Sequence, residues 1–367
     1  MSSSADVDIV IVNFRCAGDT LAAVSLLAPW RFNLLWIVDN SDDAVEAATL
    51  RDATAHLPWV RLIVAERNLG FGSACNLAFA RSATPLFLLL NPDARISPGD
   101  ISILAQVLLK DPGMAGASPR IYWDSRRRFL LPVASTQSPS MMVATALAVH
   151  ARPVARAAFR HYLAAMQERM AAETTFPVDF LAGAILMLRR QAVLSAGGLF
   201  DPDYFMFFED SDLSLRLRRA GFGLCIAPRA SAVHEYRHKD YKARLMMASR
   251  QTYFRKHFPV FFRLSRELDL VDRLGKPADW ARWGTMLPSP IHTAADLDAS
   301  LPNHGVVAFS PSPLLMPAAF RPAAAEPVPL DDDDWKLREP GRYMVAMRHR
   351  SGSAPLAFVS FERAAPA

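Results

Sequence analysis

The chain has 367 residues, 51% hydrophobic and 21% charged, a globular composition long enough for one large domain or two ordinary ones. Its formal charge of +5 comes from 41 Lys and Arg against 36 Asp and Glu, a small excess without the basic tract that neutralises a nucleic-acid backbone, so no nucleic-acid partner is expected. Met1 to Asp8 lacks the order of a signal peptide, no apolar run reaches the ~20 residues of a membrane span, and Cys16, Cys75 and Cys225 fit neither a disulfide framework nor a zinc pattern; a reducing, cytoplasmic setting is expected.

From Val7 the chain alternates short apolar runs with Ala-rich amphipathic segments. Val7 to Val12, Leu34 to Val38, Val60 to Val64 and Leu86 to Leu90 read as strands, and their order predicts an α/β fold with a mostly parallel sheet flanked by helices. In such sheets ligands bind beyond the carboxyl ends of the strands. Those ends are polar here: Asn13-Phe14-Arg15, then Asp39-Asn40-Ser41-Asp42, then Asn68-Leu69-Gly70-Phe71-Gly72, then Asn91-Pro92-Asp93. Each reads singly as a turn or helix cap. Together they form one rim, on which Asp39 can accept from the imide N–H of a uracil or thymine ring, Gly70 and Gly72 can let backbone approach a ligand, and Asp93 can hold a hard divalent cation.

Tyr122 to Phe176 is an excursion rich in Arg and apolar residues, including Arg126-Arg127-Arg128 and a segment with Arg152, Arg156, Arg160 and Arg169. Its two readings are contact with an anionic membrane surface and a solvated helix packed over the site. Phe180 to Met187 then reads as a returning strand, in which Gly183 is a small residue suited to core packing or to the close approach of another group. Phe205 to Phe208 is an aromatic and Met run that leads directly into Glu209, Asp210 and Asp212. Leu213, Leu217 and Ala220 at helical spacing, with Arg216, Arg218 and Arg219 before Gly221, place these three acids at the first turn of a helix. On the residues alone they are equally helix caps or catalysts.

Gly223 to Val233 is a further apolar segment ending at His234, and a lone His beside a strand is in general a packed residue. Helical patterns follow at Lys239 to Phe258 and Phe261 to Leu274. From about Pro277 prolines interrupt the chain, an acidic block spans Asp331 to Asp334, and a strand-like pair spans Arg342 to Arg348 and Pro355 to Phe361. Residues 276–367 are expected to be a separate Pro-rich extension, either a β-rich appendage or a loose wrap.

Asp39-Asn40-Ser41, Asn68 to Gly72, Leu90 to Asp93, Phe180 to Ala184, Gly198 to Asp201, Phe208 to Leu213 and Val233-His234-Glu235 stand in the order seen in family 2 glycosyltransferases. The chain resembles that family over Val7 to Phe258, and its rhamnosyltransferase-like branch in particular. The resemblance implies a GT-A fold over residues 1–275, a nucleotide-diphosphate-sugar donor (dTDP-rhamnose or a UDP-sugar), a divalent metal (Mn or Mg) and inverting transfer to a saccharide or polyprenyl-linked acceptor in polysaccharide biosynthesis, with peripheral contact at the inner face of the membrane. It makes Asp210 the catalytic base and Glu209 a second carboxylate that binds acceptor hydroxyls. Asn13, Asp39, Asn68, Gly70, Asn91 and Asp93 become donor-binding residues, with Asp93 and His234 on the metal and Arg237, His238 and Lys239 as candidates for the diphosphate. The family's Asp-x-Asp motif begins here with Asn91, a neutral ligand, which leaves the metal charge to Asp93. Two other classes share these features: a non-catalytic nucleotide-sugar-binding protein on the same fold, and a sugar nucleotidyltransferase. The second is disfavoured because Asn13-Phe14-Arg15-Cys16 replaces a Gly-rich loop after the first strand.

Overall fold

The structure is a computed structural model describing residues 6–30, 32–132, 137–235, 241–267, 284–287, 291–300, 304–311, 318–321, 335, 340–349 and 356–364. Arg237, His238 and Lys239 lie outside the described residues.

The first half is a run of strand and helix pairs: β1 (Val7–Asn13), α1 (Ala17–Leu27), β2 (Leu35–Asp39), α2 (Ala44–Thr54), β3 (Val60–Val64), α3 (Phe71–Arg81) and β4 (Leu86–Leu90). There follow β5 (Ala94–Ile96), α4 (Pro98–Lys110), β6 (Met114–Tyr122), α5 (Pro139–His150), α6 (Arg152–Ala171), β7 (Phe176–Val178), β8 (Ile185–Arg189), α7 (Arg190–Ser195), α8 (Glu209–Arg219), β9 (Gly223–His234), α9 (Tyr241–His257) and α10 (Pro259–Glu267). The C-terminal part holds β10 (Thr285–Met286), α11 (Ala294–Ala299), β11 (His304–Ser310), β12 (Ala319–Phe320), β13 (Gly341–His349) and β14 (Ala357–Arg363).

The main sheet has the order β3-β2-β1-β4-β8-β6-β9-β5, with β7 also pairing β9. β1 to β4 are parallel, β8 is antiparallel to both β4 and β6, and β9 runs parallel to β6. Because strand side chains alternate between faces, Val7, Ile9 and Ile11 pack with α1, α2 and α4 on one side. Val10 and Val12 pack with α3, α7 and α8 on the other. Phe180 to Ala184, expected as part of a strand, instead forms the approach to β8, which starts at Ile185. This displacement puts Gly183 at the strand-end rim.

A second sheet, β10-β14-β13-β11-β12, makes up the C-terminal part. One face receives α6 through Ala155, Phe159, Leu163 and Met166, which meet Val307, Ala308, Phe320, Met344 and Ala346. The other face packs on Trp123, Phe129, α11 and Trp335. Leu130 bridges the two sheets, exchanging backbone hydrogen bonds with Phe320 at 2.7 and 2.9 Å. Residues 123–131 and 152–171 thus share cores with the C-terminal strands. Neither reading of the 122–176 excursion holds for α6: its apolar stripe is buried against the second sheet, facing neither a membrane nor the strand-end rim. The acceptance of a helix by this sheet face is a matter of tertiary partner, which amphipathicity alone does not name.

α8 is held by a buried charge. The Asp212 side chain is fully buried, yet it accepts from Arg216 Nε at 2.6 Å, Lys256 Nζ at 2.7 Å, His257 Nε2 at 2.7 Å and Tyr204 Oη at 3.4 Å. Burial by itself would raise its pKa, but the hydrogen bonds from His257, Lys256 and Arg216 outweigh that and hold the carboxyl well below the usual range. Arg216 in turn donates to the carbonyls of Ala196, Gly198 and Leu199.

Removing one partner of such a cluster leaves buried charge uncompensated, so Asp212→Ala should cost about 3–5 kcal/mol of unfolding free energy at pH 7, measured by denaturant titration. A carboxylate whose folded pKa is depressed contributes stability above its unfolded pKa of about 4 and loses it as pH falls through the folded value. The gap between wild type and Asp212→Ala should therefore narrow below about pH 4; a gap independent of pH would remove the ionic account. Phe159→Ala should cost about 3–5 kcal/mol in the same titration, because the ring is fully buried between α6 and the second sheet.

Candidate active site

The rim starts at β1. Asn13 is fully buried, and its Nδ2 donates to Asp39 Oδ1 at 3.0 Å, Ser41 Oγ at 3.0 Å and Glu46 Oε2 at 2.9 Å. Its Oδ1 accepts from Thr20 Oγ1 at 2.8 Å. With both ends of its amide committed, Asn13 orients Asp39 and has little left for a ligand. Asp39 Oδ1 also accepts from Ser41 N–H at 3.2 Å. Among the described residues both hydrogen bonds to the Asp39 side chain go to Oδ1 and none to Oδ2.

Asn40 latches the next loop. Its Nδ2 donates to Asn68 Oδ1 at 3.0 Å and to the Gly70 carbonyl at 3.3 Å, while its Oδ1 accepts from Leu69 N–H at 2.8 Å. Asn68 Oδ1 accepts from Gly70 N–H as well, so its NH2 end is the one turned to other partners. Gly70 has φ +81°, and a Cβ there would overlap the Phe205 carbonyl. The close approach that Gly70 permits is therefore that of the protein's own backbone rather than of a ligand. Phe71 N–H donates to that same carbonyl at 3.0 Å, which docks the Phe200–Phe208 loop on the start of α3.

That loop ends in two left-handed residues, Phe207 at φ 69° and Phe208 at φ 66°. Aromatic residues occupy this region only under outside constraint. Here the constraint is the Gly70 contact on one side and Ser249 Oγ, which donates to the Met206 carbonyl at 2.7 Å, on the other. The strained turn starts α8 with Glu209 and Asp210.

The two carboxylates part company. Glu209 is 5% exposed and lies against α3, its Cβ next to Gly72 and its charge felt by Cys75. Burial, and then the charge of Asp210, push its pKa well up. It does not present to the rim, which leaves the acceptor-binding role expected of it without a geometric basis. Asp210 is half-buried. Its Oδ2 accepts from Gly183 N–H at 3.2 Å and its Oδ1 from Ser211 N–H at 2.8 Å. Burial raises its pKa to about 6 in spite of these two donors, so it is mostly ionised at neutral pH and more basic than an ordinary Asp.

Gly183 also leads to the Asn91-Pro92-Asp93 turn. The next residue, Ala184, gives its carbonyl to Asn91 N–H at 2.8 Å, continuing the antiparallel pairing of β4 with β8. Two residues on from Asn91, Asp93 Oδ1 stands 3.2 Å from His234 Nε2, because β5 and β9 pair Ala94 with His234. The Asp93 side chain is 40% exposed and that of His234 10%. Among the described residues no cluster of three or more His, Cys, Asp and Glu is found. An oxygen and a nitrogen donor side by side fit one borderline cation such as Mn2+, with further ligands drawn from substrate oxygens and water.

Sequence reasoning missed Glu46, Lys256 and His257. The Asp212 and Arg216 pair was visible at its i, i+4 spacing; its partners on α9 come from more than forty residues away and had no local signal.

The family model described as glycosyltransferase like family 2 matches residues 5–254, more than half of the chain. An N-acetylglucosaminyl-diphospho-decaprenol L-rhamnosyltransferase of Mycobacterium tuberculosis is 29% identical over 247 residues, covering 64% of this chain and 77% of that enzyme. The rhamnosyltransferase WbbL of Escherichia coli is 38% identical over 97 residues, covering 26% of this chain and 34% of that one. Among solved structures, the mannosyltransferase PcManGT of Pyrobaculum calidifontis with GDP-Man and Mn2+ overlaps at a TM-score of 0.47 with 14% identity, over 70% of this chain and 64% of that one. GalNAc-T7 with UDP, GalNAc and Mn2+ overlaps at 0.48 with 13% identity, over 64% and 44%. Both structural overlaps are partial, and the assignment rests on the sequence match. The chain belongs to glycosyltransferase family 2, and it is as a glycosyltransferase that its rim of strand ends is to be understood.

Proposed function

We propose that this glycosyltransferase moves a sugar, with inversion, from a nucleoside-diphosphate donor to a hydroxyl of a saccharide carried on a polyprenyl lipid, at the cytoplasmic face of a membrane. The observation that carries the reading is the placement of Asp210. A half-buried carboxylate with raised pKa is held by Gly183, one residue from the Ala184 carbonyl that Asn91 of the Asn91-Pro92-Asp93 turn engages. The names of the relatives support rhamnose as the transferred sugar and a polyprenyl-diphosphate-linked saccharide as acceptor.

In this reading Asp39 Oδ2 accepts from the imide N–H of a thymine or uracil base, in an orientation fixed by Asn13 and Ser41. Asp93 and His234 hold a divalent cation, which when bound neutralises charge on the diphosphate leaving group. Asp210 takes the proton of the acceptor hydroxyl as its oxygen bonds to the anomeric carbon and the bond from that carbon to the diphosphate breaks. The raised pKa suits that task, since a base whose pKa lies near the working pH is both ionised and basic. No helix among the described residues is long and apolar enough to cross a membrane, which fits an enzyme that meets a lipid-linked acceptor from one side.

Asp210→Asn should lower transfer about 10²–10⁴-fold while leaving donor affinity, measured by calorimetry, within a few-fold of wild type. Loss of donor binding in that variant would place Asp210 in the donor site instead. Because the ionised form is the active one, kcat/KM should fall about tenfold per pH unit below a pKa near 6. In a separate assay of nucleoside-diphosphate release over a panel of sugar nucleotides, chelator should abolish turnover and Mn2+ should restore it better than Mg2+, with Asp93→Ala and His234→Ala weakening the metal response. Full turnover in chelator would remove the metal from the reading.

A further inference from the structure

The charge of this chain is concentrated in one place. From Tyr241 to Glu267, which spans α9 and α10, there are seven Lys and Arg and a single acid, Glu267, a net charge of +6 in a chain whose total is +5. Two of these charges turn inward or sideways: Lys256 binds Asp201 and Asp212, and Arg250 meets Met247. Arg244, Arg255 and Arg263 are exposed.

The two helices share one aromatic cluster, in which Tyr253, Phe254, Phe258, Phe261 and Phe262 surround Tyr204 and Phe208. At about 100° per residue, Arg244, Ala248, Gln251 and Arg255 fall on the face of α9 opposite that cluster. Val260, Arg263 and Leu264 fall on the opposite face of α10. On the outer face of α10 Val260 is 80% and Leu264 52% exposed, and Met246 of α9 is 42% exposed. α5 joins the cluster through Met142, contains no Lys, Arg, Asp or Glu, and exposes Val143 and Leu147 one turn apart.

Exposed aliphatic side chains among arginines, on helices that lie along a surface, match an anionic lipid bilayer, whose headgroups attract the cations and whose acyl boundary accepts the aliphatics. A nucleic acid would call for aromatic platforms between the cations, and those of α9 and α10 face inward. We propose that the consecutive helices α9 and α10, with α5 in the same aromatic cluster, form the surface by which this protein docks on an anionic membrane. The inference rests on the polyprenyl-linked acceptor proposed above and moves the contact away from α6, whose apolar stripe is buried. It also ties docking to catalysis: α9 holds the Met206 carbonyl through Ser249 and Asp212 through Lys256 and His257. The helix start that carries Asp210 is thereby fixed to the docked element.

The test is flotation of the full chain with vesicles of phosphatidylcholine, alone or with about one third phosphatidylglycerol, in the absence of donor and acceptor. The expected result is binding to the anionic vesicles only, weakened by salt. Val260→Ser with Leu264→Ser, and separately Arg255→Gln with Arg263→Gln, should each reduce the partition coefficient at least about tenfold while donor affinity stays at the wild-type value. Absence of binding to anionic vesicles, or equal binding by both variants, overturns the proposal, as does tighter retention on a short DNA duplex than on vesicles at the same salt. Vesicle binding requires no acceptor, so failure of transfer to a polyprenyl-linked saccharide with flotation intact strikes the acceptor reading alone, and the converse strikes this surface alone.

Discussion

Asp212 is the carboxylate on which α8 and the loop before it depend. It lies fully buried and draws donors from its own helix, from the loop before it and from α9. Such a charge is tolerated in an interior only because four donors replace its water. The consequence reaches past α8: Arg216, fixed by Asp212, gathers three carbonyls of the Ala196 to Leu199 turn, and Lys256 brings Asp201 into the same cluster. Of the three acids in the first turn, the one whose charge is met entirely by protein donors is the one that sets the position of the others.

The strained residues before α8 gain their meaning from that anchoring. Phe207 and Phe208 are both left-handed, an arrangement costing on the order of 1–2 kcal/mol per residue. It persists because backbone contacts from Gly70 and Phe71 on one side and from Ser249 on the other over-determine it. The product is a helix start that turns Asp210 toward Gly183 while Glu209, the residue before it, goes into the core. A hundred degrees of rotation separates a half-buried carboxylate from a buried one.

The antiparallel strand β8 joins the two chemical halves. The parallel strands bring Asn13, Asp39, Asn68 and Asn91 to one rim in the ordinary manner of such sheets. β8 then runs back along β4, so that Gly183 and Ala184 sit where β4 ends and place a backbone N–H against Asp210. The second sheet makes a different contribution. It covers the apolar stripe of α6 and receives Leu130 at its edge, while Val143 and Leu147 of α5, Met246 of α9 and Val260 and Leu264 of α10 stay exposed.

Local pattern sufficed for what depends on neighbours in the chain. The four strands from Val7 to Leu90, the α/β class, the helix from Glu209 and the order of the motifs were all legible, because strand alternation, helical spacing and turn chemistry act over a few residues. The same patterns could not say which partner an amphipathic stripe would meet, and α6 was read toward a membrane or the active site when a sheet from the far end of the chain covers it. They could not separate Glu209, Asp210 and Asp212 either. Those three acids have the same chemistry and adjacent positions, and their different roles come from Gly183, α3 and the Lys256–His257 pair, which lie between about 25 and 135 residues away in sequence and act by desolvation and hydrogen bonding at contact distance. Long-range contact is a property of the folded chain, and which acid is half-buried beside Gly183, which is buried and which is the anchor was decided there.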